Sequence, residues 1–328
     1  MAGRPIPPDE TPPRAIALII AGMVFITIND STIKALGGDY PLHQMVFIRS
    51  AIGILFSLVI LQFEGGFAAL RTATPGLHLL RGLLVVVANM MFFAALATMP
   101  LADAVALFFI APLMITLMSA LFLGERVGPH RLGAILVGFA GVLVMMRPGT
   151  GAAEETARWT VLLPLLAATA YAGMQVMTRK LGVFSKASAL AVYIQLVFLV
   201  VSVGFYAVAG DGRFAEGVEE ESLVFLLRAW VWPAPDDWPL FILLGVMSGA
   251  IGYTLSAAYK MGNAATVSSY EYTALPMAIV AGWLVFGEVP DLWVLGGTAL
   301  IAGAGIYIFM RERRRRSPVA PRRPVRRL

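Results

Sequence analysis

Apolar runs of membrane-crossing length recur ten times along this chain, separated by short polar or Gly- and Pro-bearing turns. They cover 15–36, 42–62, 77–98, 102–123, 131–147, 160–178, 187–208, 239–259, 264–286 and 292–310. The hydrocarbon core of a bilayer takes about 20 apolar residues in α-helical form, so the pattern predicts ten transmembrane helices. Turns such as Thr98-Met99-Pro100-Leu101 and Met261-Gly262-Asn263 leave no room for a soluble domain. The one long connection, 209–238, carries Glu219-Glu220-Glu221 and then an apolar aromatic stretch from Leu223 to Trp232. With Trp230, Trp232 and Trp238 in it, this stretch predicts a helix lying in the membrane interface.

A duplication orders these spans. Leu101-Ala102-Asp103-Ala104-Val105 runs on to Phe122-Leu123-Gly124-Glu125, and Asn263-Ala264-Ala265-Thr266-Val267 runs on to Val285-Phe286-Gly287-Glu288, an offset of 162 residues that becomes 163 near Thr273. Five spans per half is an odd number, so the second half must enter the bilayer upside down. The expected fold is an all-α integral membrane protein of ten helices, arranged as two inverted five-helix repeats around a central cavity. That is an architecture of secondary transporters, whose solute site lies at the repeat interface near the midplane. The expected boundaries are a disordered cytoplasmic N-terminus (1–14), a first repeat (15–147), a linker (148–159), a second repeat (160–310) with its long loop at 209–238, and a basic cytoplasmic tail (311–328).

Composition supports lipid as the main solvent: 59% of residues are apolar, 14% are charged, and the mean hydropathy is +0.79. The net charge of +5 belongs mostly to the tail, where 9 of the 25 Lys and Arg fall in the last 18 residues. Directly behind a span, such a run attracts anionic lipid and fixes topology rather than binding nucleic acid. Elsewhere Lys and Arg collect in the N-terminus and the even-to-odd loops (Arg4, Arg14, Arg71, Arg81, Arg126, Arg131, Arg179, Lys180, Lys186, Lys260), against Arg147, Arg158, Arg213 and Arg228 on the opposite side. The positive-inside rule then places both termini in the cytoplasm. The absence of cysteine excludes disulfides and thiolate sites, and His43, His78 and His130 at span ends suggest no metal centre. No cofactor is implied.

Charges inside spans mark function, because each costs roughly 2.5–3.5 kcal/mol at a helix centre unless it faces protein or water. Lys34, Arg49, Asp30 and Glu271 are such residues. Thr27, Asp30, Ser31 and Lys34 form one polar stripe on the first helix. Asp30 and Arg49 lie at similar depth, so an Asp30–Arg49 or an Asp30–Lys34 pair is expected, either as part of a solute site or as a static pair orienting the helices. Glu271 shows no basic residue at like depth in the sequence; its mates within the same repeat, on the sixth and seventh helices, are Gln175 and Gln195. Proton coupling, direct solute binding and a neutral packing role all remain open for it. Asn89, Tyr171 and Tyr253, counted to mid-depth, and Tyr270 and Tyr272 complete the candidate cavity residues. The fifth and tenth spans hold Gly133, Gly138, Gly141, Gly296, Gly297, Gly303 and Gly305 and read as scaffold or dimer helices. Monomer and homodimer both fit.

Phe108-Phe109-Ile110-Ala111-Pro112-Leu113 leading to Leu121-Phe122-Leu123-Gly124-Glu125, Tyr270-Glu271-Tyr272-Thr273-Ala274-Leu275 leading to Phe286-Gly287-Glu288, and Phe47-Ile48-Arg49 resemble the drug/metabolite transporter superfamily, specifically its ten-span EamA-domain members. The resemblance implies ten helices around a cavity formed by the first four of each half, and alternating access driven by an ion gradient. It also implies substrates ranging from amino acids to S-adenosylmethionine and riboflavin. Gly124-Glu125 and Gly287-Glu288 read as helix-terminating elements. The expected function is secondary transport of a small polar solute, an amino acid or related zwitterion held between Arg49 or Lys34 and Glu271, with protons as a possible coupling ion. The tyrosines equally suit a ring-bearing solute such as riboflavin or S-adenosylmethionine. No zinc motif or nucleophile elbow supports a membrane-embedded enzyme, and pseudo-symmetric halves argue against a passive channel.

Overall fold

The structure is a computed structural model that describes residues 13–72, 74–123, 129–146, 158–181, 187–261, 267 and 270–316. Residues 1–12 of the expected N-terminus, 148–157 of the linker, Gly124-Glu125 and the far end of the basic tail lie outside these residues, whereas 13–14 and 158–159 are helical. Twelve helices are described: α1 (Pro13–Leu36), α2 (Leu42–Phe63), α3 (Pro75–Leu96), α4 (Leu101–Phe108), α5 (Ala111–Leu123), α6 (Pro129–Met146), α7 (Arg158–Leu181), α8 (Ala187–Ala209), α9 (Glu221–Leu227), α10 (Trp238–Met261), α11 (Ala274–Phe286) and α12 (Leu292–Arg316). Among the described residues, six helices are long and apolar enough to cross a membrane, and four shorter apolar segments accompany them at Leu101–Ile115, Leu132–Met145, Ala274–Phe286 and Leu292–Tyr307.

Two spans expected to be continuous are broken, and proline is the reason. Pro112 has no N–H for the carbonyl of Phe108, and Pro276 none for that of Tyr272. The chain turns at Phe109-Ile110 between α4 and α5, and again at Tyr272-Thr273 before α11. At the second turn the Thr273 hydroxyl donates to the Tyr270 carbonyl at 2.6 Å. Phe109 and Tyr272 are repeat counterparts at the 163-residue offset, and their rings pack together at 5.2 Å.

The helix packing maps onto itself when the halves are exchanged. α1 packs along α10 as α7 packs along α3, while α2 lies on α8, α4 on α11 and α6 on α12. Small residues make these seams close. Phe56 of α2 fills the space a Cβ on Gly249 would need, at 2.6 Å. A Cβ on Gly141 would fall 2.8 Å from the Gly297 carbonyl oxygen and 2.9 Å from Ile301 on α12. Backbone cannot give way there, so Gly141→Leu is expected to cost about 1–3 kcal/mol, seen as a lower melting temperature in detergent. Transport per folded molecule should be retained if α6 and α12 are scaffold.

The long connection is tied to the bundle: it folds over the ends of α1, α2 and α3, at the end that the arginine distribution assigns to the outside, termed distal here. Arg228 donates to the carbonyls of Gly37, Gly38 and Tyr40 and so satisfies the turn that follows α1. Gln44 exchanges hydrogen bonds with the backbone of Val231 in both directions, His43 Nδ1 meets the Leu226 carbonyl at 3.0 Å, and Ser222 donates to the Ala94 carbonyl at 2.9 Å. The Tyr40 hydroxyl donates to Asp237 at 2.6 Å; desolvation, then that hydrogen bond, push its pKa above the ordinary value and keep it a donor. Trp230 packs on His43, Phe47 and Tyr206, whereas Trp232 is 86% exposed. Trp230 and Trp238 are partly buried.

Candidate functional site

Two buried polar clusters lie along the interior, joined by aromatic rings. In the distal cluster, Asp30 accepts from the Asn29 amide at 3.0 Å, and Arg49 donates to the Asn89 side-chain oxygen. The Arg49 guanidinium also lies over Phe93 and Phe198, at 5.5 and 5.1 Å, an arrangement that stabilises a cation away from water. Asp30 and Arg49 are within electrostatic reach, but neither hydrogen-bonds the other. Each is instead held by an asparagine. Of the expected polar stripe, Thr27 turns back to the Met23 carbonyl at 3.0 Å, so that hydroxyl is occupied within its own helix.

The expected Asp30–Lys34 pair does not form. Lys34 reaches across the halves to Glu288 at 2.6 Å and donates to the Met99 carbonyl at 2.8 Å. Glu288, read from the sequence only as a helix terminator, also accepts from the Leu101 N–H at 2.9 Å.

The second cluster contains a residue the sequence reading placed among the loop arginines. Arg81 lies six residues inside α3, about 9 Å along its axis, and is only 6% exposed. Its position four residues into the apolar run at 77–98 was the available signal. Tyr171 accepts from the Gln175 amide at 2.7 Å and is within electrostatic reach of both Arg81 and Glu271. Arg81 and Glu271 thus share one neighbour, Tyr171. Both Arg81 and Glu271 are buried and neither is without a partner.

Between the clusters runs a belt of rings: Phe92 on Phe108 at 5.3 Å, Phe108 on Tyr171 at 5.4 Å, and Phe109 on Tyr272. It crosses from α3 through the α4–α5 break to α7 and the turn before α11. Desolvated aromatic walls of this kind favour planar, polarisable partners. The remaining candidates stand apart. Gln195 donates to Ser248 at 2.9 Å in a tight joint of α2, α8 and α10, where Gly53 has no room for a Cβ. Tyr253 is half-buried, with no hydrogen-bond or ring partner among the described residues, and Tyr270 packs at the edge of the apolar core. Among those residues no group of His, Asp or Glu is arranged to hold a metal ion.

Comparison with known proteins agrees with this architecture. The sequence profile of the EamA-like transporter family matches residues 13–147. The riboflavin transporter of Rhizobium johnstonii is 30% identical over 94% of this chain and 95% of its own length. The pseudopaline exporter CntI of Pseudomonas aeruginosa is 31% identical over 88% and 93% respectively. One solved crystal structure, 21% identical, superposes over 92% of this chain and 98% of its own with a TM-score of 0.63, which shows a shared fold. Helices of spanning length, two broken helices meeting at their repeat counterparts, and similarity over nearly the whole chain lead to one assignment: the protein is a multi-pass membrane transporter of the EamA-like family, within the drug/metabolite transporter superfamily.

Proposed function

We propose that this protein carries a planar, ring-bearing metabolite of the flavin type across the inner membrane by alternating access, with both termini in the cytoplasm. The observation that carries this reading is the belt of Phe92, Phe108, Tyr171, Phe109 and Tyr272 set between two buried arginine clusters. A flat heterocycle gains from such rings at both faces, and its polar edge needs convergent donors and acceptors. Arg49 with Asn89, and Arg81 with Tyr171 and Gln175, are placed to supply them. The relative named a riboflavin transporter, alike over almost its full length, supports the same reading. The helix breaks add backbone groups freed from helical bonding where the halves meet, as at other midplane transporter sites. A zwitterionic amino acid uses the same charges but leaves the ring belt without a task.

Counterflow tests this directly. Proteoliposomes loaded with unlabelled riboflavin should accumulate external labelled riboflavin transiently above equilibrium, which a passive pore cannot do. Excess flavin should compete and amino acids should not. Counterflow with amino acids and none with riboflavin would replace the flavin reading with the zwitterion one.

A further inference from the structure

The distal ends of the two halves are joined by one compact polar assembly. Lys34, in the last turn of α1, forms an ion pair with Glu288, which follows α11, and both side chains are mostly shielded, 14% and 22% exposed. The Lys34 ammonium also lies 5.2 Å from the centre of the Phe286 ring. Each partner is tied again to the turn that begins α4, Lys34 through the Met99 carbonyl and Glu288 through the Leu101 N–H. Gly287, at φ 68°, ends α11 in a left-handed turn, with Gly287 N–H bonding the Trp283 carbonyl and Glu288 N–H bonding the Gly282 carbonyl. This fixes where the Glu288 side chain starts. Only glycine adopts that turn without strain.

Just below this assembly α1 and α11 touch along only part of their length. A groove of about 630 Å³ lies between α1, α10 and α11, walled by Ser31, Ala35, Leu240, Val280, Leu284 and Val285. Ionic and backbone-directed bonds thus join the two halves at this mouth, beside the packing of α1 and α4 on α11. We infer that Lys34 and Glu288 are positioning residues of the distal gate: their pair, braced by Met99 and Leu101, holds this mouth shut, and its rupture opens the path to Asp30 and Arg49. This rests on the alternating-access part of the proposed function, not on the identity of the solute. A mostly shielded pair that moves with the gate suits such a switch, because desolvation and attraction nearly cancel and modest changes shift the population.

The natural chain has no cysteine, so a single reporter needs no prior engineering. Ala104→Cys places it at a fully buried site one turn below Leu101. In intact cells a membrane-impermeant maleimide should label it slowly in the parent and about fivefold faster in Lys34→Met or Glu288→Gln, the change expected for losing about 1 kcal/mol of closure. Lys34→Arg keeps charge and donors and should restore protection. The exchange Lys34→Glu with Glu288→Lys restores attraction but not the bonds to Met99 and Leu101, so its rate should fall between. Equal labelling in all variants would overturn the gate, as would labelling confined to inverted vesicles. Size-exclusion profiles matching the parent exclude misfolding as the cause of faster labelling. Labelling needs no solute, so the gate survives if riboflavin is not carried, and riboflavin counterflow by the parent survives if the gate is wrong.

Discussion

Arg49→Met is expected to abolish transport and to destabilise the protein by about 3–5 kcal/mol, the range found when one member of a buried charge pair is deleted. The guanidinium is buried at 4% exposure and engages Asn89 and the faces of Phe93 and Phe198. Its removal strips those groups of their partner and leaves the Asp30 carboxylate with Asn29 alone at hydrocarbon depth. If the arginine only orients helices, the double variant Asp30→Asn with Arg49→Met should recover both melting temperature and transport. If it also receives solute, the double variant recovers stability while transport stays at least about thirtyfold down, since a lost charge-assisted hydrogen bond in a dry site costs about 2–5 kcal/mol. Arg49→Lys sharpens the test. It keeps the charge but loses the planar fork over two rings and the amide, so folding should survive and transport should fall. Recovery of transport in the double variant would remove Arg49 from the solute path.

Much of this fold was legible because lipid imposes length and polarity on every span. The ends predicted for the second and seventh spans fall within one residue of α2 and α8. What periodicity could not show was interruption inside an apolar run. Phe109-Ile110 lies among residues as apolar as any helix interior, Tyr272-Thr273 lies beside the in-span Glu271, and the sequence signal for both breaks is a proline two or three residues on, Pro112 and Pro276. Partners far apart in sequence were also invisible: a helical stripe offers Lys34 only Asp30, and the actual partner follows a helix in the other half. Arg81 was lost to a counting rule, since nearness to a span end resembles a loop until the helix is seen to start at Pro75. In the long connection, the tryptophans announced an amphipathic segment, but Tyr40, His43 and Gln44, which hold it down, lie in the first repeat. Composition predicts a surface preference. It does not predict which surface.

Glu271→Gln is expected to separate exchange from accumulation. Glu271 sits immediately before the turn at Tyr272-Thr273, where α11's proline-broken span meets its counterpart at Phe109, and it shares Tyr171 with Arg81. Any movement of one half against the other changes the surroundings of this buried acid, which is what a coupling group needs: one environment that favours its proton and another that releases it. If one proton accompanies each uncharged solute, a gradient of one pH unit, acid on the side of entry, is worth about 1.4 kcal/mol and drives roughly tenfold accumulation in proteoliposomes without a membrane potential. In the glutamine variant that ratio should fall to about one, while counterflow at equal pH on both sides persists, because exchange does not require net proton movement. The amide preserves size and hydrogen bonding, so a packing role predicts a variant that still accumulates tenfold. Loss of counterflow together with accumulation assigns Glu271 to solute binding with Arg81 and Tyr171. The three roles open to this acid thus give three different pairs of readings.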